Sequence, residues 1–88
     1  MSFMGGSAYA MASQIAEGFL MVTERTFSRM PAPELALLAQ ELDKRLREVR
    51  SEQPDLEDTQ ALQKRNRRIM RLNSANSMLG FHRSKRKR

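Results

Sequence analysis

The chain has 88 residues, with 16 lysines and arginines against 10 acidic residues and a formal net charge of +6. This length allows one domain with a thin core, and the absence of cysteine excludes a disulfide-stapled scaffold, which favours an intracellular location, cytoplasmic or nuclear. Few glycines and prolines, no tryptophan and many helix-forming residues predict an all-α fold.

The domain is expected to cover residues 8–80. Residues 1–7 are rich in glycine and serine and are interpreted as a flexible leader or a tag remnant. Residues 81–88 are expected to form a basic, disordered tail. The most apolar stretch, residues 9–22, is interrupted by polar side chains and is too short to span a bilayer, so no membrane association is predicted.

The first predicted helix runs from Ala8 to Ser28, because apolar residues recur there at spacings of three and four. Phe19 is its expected main anchor in the core. Gly18 either permits a close helix crossing or marks a break, and the periodicity alone leaves both open. The expected core residues of this helix are Ile15, Phe19 and Val22.

The second predicted helix, Pro33–Ser51, is the most regular element. Proline at the preceding boundary disfavours continuation of the first helix, and Pro33 suits the first position of a new one. Its apolar residues form one stripe, as expected for a helix that packs on a core. The stripe consists of Leu35, Leu38, Leu42, Leu46 and Val49.

The third predicted helix, Leu56–Leu79, follows a stop around Pro54. Asp55 is the expected N-cap, and Gly80 is expected just past the helix end. Its expected core residues are Leu62, Ile69, Leu72 and Leu79. The second and third helices should form an antiparallel hairpin, with the first either packed across it or donated to a partner. So small a core predicts a homo-oligomer or an obligate protein partner.

The sequence offers no catalytic constellation. His82, the only histidine, is expected to be solvated and inert in the tail, and no second imidazole or thiolate is present to complete a zinc site. The acidic residues are spread along helix surfaces, and there is no phosphate-binding glycine loop. We therefore expect a non-enzymatic protein without cofactor or metal.

The charge is distributed asymmetrically. Residues 1–58 hold six lysines and arginines and all ten acids, a net charge of −4, whereas residues 59–88 hold ten basic residues and no acid, a net charge of +10. Such asymmetry predicts a polyanionic or acidic partner for the C-terminal third. Gln63–Arg71 resembles the arginine-rich helices by which some RNA-binding proteins enter a groove, where arginine can contact phosphate or guanine with two hydrogen bonds.

Two functional hypotheses follow. The first is a helical adaptor that binds RNA or DNA in gene regulation or a nucleoprotein assembly. Its expected contact residues are Lys64, Arg67, Arg68, Arg71, Arg83, Lys85, Arg86, Lys87 and Arg88. The second is a protein-binding subunit or small chaperone that completes a partner's helical bundle, with the basic residues serving solubility or an acidic protein surface. An open basic face favours the first, and ion pairing of that face within the chain favours the second.

Overall fold

A computed structural model describes residues 7–86. It is all-helical and compact in this part of the chain, as predicted, but it contains four helices rather than three. They are α1 (Ala8–Glu17), α2 (Glu24–Ser28), α3 (Ala32–Ser51) and α4 (Thr59–Arg86). No helix among the described residues combines the length and the apolar character needed to cross a membrane.

The predicted first helix is broken at Gly18, which accounts for the additional helix. Gly18 has φ +83°, the left-handed conformation that glycine adopts without steric cost. Its backbone N–H reaches the carbonyls of Gln14 and Ile15 and so ends α1. The chain turns out of the helical path here, and α2 begins only at Glu24.

Phe19 is not a core anchor: its side chain is 84% exposed, so that prediction is wrong. Phe19 directly follows the left-handed residue Gly18 and therefore lies outside α1. The predicted inward orientation assumed that the helix continued through this position. Phe27 on α2 occupies the core instead and is fully buried. Because the helix breaks at Gly18, Phe27 rather than Phe19 fills the core.

The leucine stripe of α3 is confirmed, because all five of its residues are buried. The helix starts at Ala32, one residue earlier than predicted, and ends at Ser51 as predicted. Its most extensive contact is with α4. The connection between the two, residues 52–58, is short enough to make them antiparallel neighbours.

Both ends of α4 differ from the prediction. Asp58, not Asp55, caps its start, since an Asp58 carboxylate oxygen accepts the backbone N–H of Ala61 at 3.0 Å. At the other end the helix continues through Gly80 to Arg86, so residues 81–86 are helical rather than a separate tail. A Cβ on Gly80 would meet no heavy atom within 4 Å, and nothing at this position ends the helix. Lys87 and Arg88 lie outside the described residues.

The core lies where α1, α2 and α4 meet the leucine stripe of α3. Of the remaining expected core residues, Ile15, Leu72 and Leu79 are buried, Val22 and Ile69 pack against the core while partly buried, and Leu62 is only partly buried. The buried residues that the sequence analysis did not assign to the core are Met11, Ala12, Ala16, Phe27, Met30, Ala75 and His82.

Candidate functional site

Four basic residues of α4 surround one surface depression. Lys64, Arg67, Arg68 and Arg71 line it together with Glu17 at the end of α1, and its volume is about 310 Å³. Their spacing of three, one and three residues places them along one side of the helix. The structure therefore brings together all four basic residues that the sequence predicted on one face of this helix.

Lys64 and Arg67 are the open cations of this basic depression. Both side chains are exposed, and neither forms an ion pair with another described residue. Arg68 differs, because its Nε lies 2.9 Å from a Glu17 carboxylate oxygen and its Nη1 lies 3.9 Å from Glu52. Glu17 is the one carboxylate that lines the depression, and Glu52 pairs with Arg68 from beside it, so two carboxylates offset four cations and the depression stays positive.

Arg71 closes the C-terminal end of α1. Its Nη1 donates to the carbonyl of Ala16 at 3.1 Å, one of the carbonyls that lack a partner within the helix. The guanidinium lies over Gly18, where an added Cβ would come within 2.8 Å of the arginine Cζ. A cation at this position is also favoured by the negative end of the helix dipole.

Arg65 does the same for α3. Its Nη2 donates to the Arg50 carbonyl at 3.0 Å and its Nε to the Glu52 carbonyl at 3.1 Å. Arg65 therefore binds the backbone at the end of the preceding helix, so part of the arginine-rich segment stabilises the fold.

The basic residues at the end of α4 are partly engaged by α2. Lys85 Nζ donates to a Glu24 carboxylate oxygen at 2.9 Å, and the same oxygen lies 3.5 Å from His82 Nδ1. The hydrogen bond from Lys85 lowers the pKa of the Glu24 carboxyl most, and the hydrogen bond from His82 lowers it further. Arg83 is partly buried, and the side chains of residues 86–88 lie outside the described part.

His82 is buried rather than solvated, which corrects the sequence interpretation. Its side chain is 8% exposed, and its ring centroid lies 6.3 Å from that of Phe27. Because α4 continues past Gly80, it brings His82 onto α2. The spacing of the sequence could have indicated this burial, because His82 follows Ala75 and Leu79 at intervals of four and three residues and so lies on the same, buried side of the helix.

The arrangement is suited to binding an anion at the surface. The guanidinium groups present planar pairs of donors, and the lysine adds a mobile point charge. Among the described residues no group of three histidine, cysteine, aspartate or glutamate side chains could hold a metal ion.

No protein-family model, curated protein sequence or solved structure matches the chain. Its function is therefore inferred from the geometry and charge of its own residues.

Proposed function

We propose that the chain is a non-catalytic helical adaptor that binds nucleic acid through the basic depression of α4 and the cations at its C-terminal end. The observation that carries this proposal is the depression itself, which is lined by four cations, Lys64, Arg67, Arg68 and Arg71, and by one carboxylate, Glu17. A surface that only served solubility would mix both charge signs. The setting we propose is gene regulation or a nucleoprotein assembly.

The four cations have different parts in this proposal. Lys64 and Arg67 are exposed, so they can meet a phosphate without giving up an ion pair. Arg68 and Arg71 are held in place by Glu17 and the Ala16 carbonyl, so that little side-chain entropy remains to be lost on binding. Phosphate contacts of this kind give binding that is strongly salt-dependent and weakly sequence-dependent.

The test is a fluorescence-anisotropy titration of short duplex DNA and RNA with the chain and a double variant, Lys64→Gln with Arg67→Gln. Glutamine keeps helix propensity and removes two charges that have no structural partner. If both side chains engage phosphates, the plot of log K against log salt becomes shallower by about 2, because each neutralised duplex phosphate contributes about 0.9.

The matched control is Lys44→Gln with Arg29→Gln, which also removes one lysine and one arginine. Both control side chains are exposed and lie outside the depression. The control variant is expected to keep almost all of the affinity. Equal losses in the two double variants would contradict the proposal, since net charge rather than this surface would then determine binding.

A further inference from the structure

A second, apolar groove runs beside α4. It has a volume of about 420 Å³ and is bounded by the connection between α1 and α2 on one side and by α4 on the other. Its lining includes Met21 of that connection and Met70, Arg71, Ser74 and Met78 of α4. Two methionines of this groove are open to solvent, since Met21 is 88% exposed and Met70 is 69% exposed.

The shape of the groove fits a short helix. Met70, Ser74 and Met78 recur every four residues and so form one ridge of α4, about 12 Å long at 1.5 Å per residue. The small side chain of Ser74 leaves room between two flexible methionines. Surfaces rich in methionine accommodate varied apolar side chains because the thioether chain is unbranched and adaptable.

The charge around the groove determines which helix fits. No acidic residue of the described part lines the groove, whereas Arg71 lines both the groove and the basic depression, where Lys64 and Arg67 are open. Toward the other end of α4, Lys85, which also pairs with Glu24, lies over the exposed Phe81 ring, 5.6 Å from its centroid. An apolar surface continuous with cations complements a helix with one apolar face and acidic flanks.

We infer that this groove docks an acidic amphipathic helix of a partner protein. The apolar face of that helix lies on Met21, Met70 and Met78, and its carboxylates reach Arg67 and Arg71. This goes beyond nucleic-acid binding, because the apolar groove shares only Arg71 with the basic depression, and only the flanking carboxylates of the docked helix extend to Arg67 in that depression. Aliphatic and thioether side chains favour apolar side chains of a protein over nucleobases, which stack best on aromatic rings.

The test uses a synthetic helical peptide of about 15 residues, with leucines at helical spacing and glutamates elsewhere. Binding is followed by NMR of protein labelled at its methionine methyl groups. The methyl signals of Met21, Met70 and Met78 should shift, while those of the buried Met11 and Met30 serve as internal controls. Met70→Gln should weaken binding by about tenfold or more, the effect of losing one buried apolar side chain.

Leu56→Gln is the matched control, because Leu56 is 83% exposed and lies outside the groove. It should leave the peptide affinity unchanged. A peptide with lysine in place of glutamate should bind more weakly, and equal binding of the two would refute the acidic character of the partner. Shifts of the same methyls on dilution of the protein alone would instead assign the groove to a second copy, and shifts with short RNA or DNA would assign it to nucleic acid. Either result, or no response to the acidic peptide, overturns the inference.

Discussion

Exchanging Gly18 and Gly80, the two glycines in the described part of the chain, for alanine should have opposite effects on stability. At Gly18, alanine would have to adopt φ +83°, which costs an L-residue about 1 to 2 kcal/mol. Its Cβ would also lie 2.8 Å from the Arg71 Cζ. That atom is at the end of a flexible side chain, so it can move away, but only by giving up the bond to the Ala16 carbonyl.

The lost bond adds about 1 kcal/mol, less than the about 1.5 to 3 kcal/mol of a fully buried charged hydrogen bond, because solvent reaches this guanidinium. Gly18→Ala should therefore cost about 2 to 3 kcal/mol in all, or about 10 to 20 °C in Tm for a domain of this size. In an Arg71→Gln background the same change should cost only its backbone part. The difference between the two costs, about 1 kcal/mol, is the interaction energy between residues 18 and 71 in this double-mutant cycle.

Gly80→Ala is the matched control. Gly80 lies inside α4 and has open space where a Cβ would be, so alanine should stabilise the helix by up to about 1 kcal/mol. Thermal and urea unfolding followed by circular dichroism measure both variants. A neutral Gly18→Ala together with a destabilising Gly80→Ala would refute the reasoning, because it would place the helix end at Gly80.

Three further substitutions test the core, the α3 cap and the α2–α4 contact. Leu42→Ala should cost about 2 to 5 kcal/mol in urea unfolding as a core deletion, whereas Leu37→Ala on the half-exposed side of α3 should cost less than about 1 kcal/mol. Arg65→Met should cost about 1 to 3 kcal/mol by freeing two helix-end carbonyls, while Lys64→Met should stay within about 0.5 kcal/mol; equal losses would exclude the capping role. Folding lowers the pKa of the Glu24 carboxyl, chiefly through the Lys85 hydrogen bond. The ionised carboxylate therefore stabilises the chain at pH values above its ordinary pKa, and this contribution is lost as the pH falls through the lowered value. The Tm of the parent should therefore be higher than that of Glu24→Gln at pH 7, and the two Tm values should converge in acid. A Tm difference that persists in acid would show that the carboxylate charge is not its cause.

The regular part of the fold was predictable from sequence because it depends on local periodicity. The α3 stripe shows this, since five apolar residues at helical spacing are buried as expected. The assignment of helix ends to glycines was less successful. Gly80 was expected to end its helix and does not, while Gly18, left open between two roles, ends α1. The difference arises from tertiary contacts, because Arg71 lies over Gly18 and the packing of His82 on Phe27 continues α4 past Gly80.

The basic surface was predictable in composition but not in the roles of its members. The sequence placed four cations on one face of α4, and they line one depression. It could not distinguish Arg71, which satisfies the end of α1, from Lys64 and Arg67, which remain open. That distinction depends on where α1 ends relative to α4, a long-range property that periodicity does not encode.

The central proposal, binding of nucleic acid through phosphate contacts, is tested most directly by the salt dependence of the unmodified chain. Anisotropy titrations with generic duplex DNA and RNA over a range of salt concentrations give the slope of log K against log salt. Nine basic residues were predicted from the sequence to contact nucleic acid. If about five of them each neutralise a phosphate, the slope should be about −4 to −5. Negligible affinity at low salt, or an affinity that does not change with salt, would contradict the proposal.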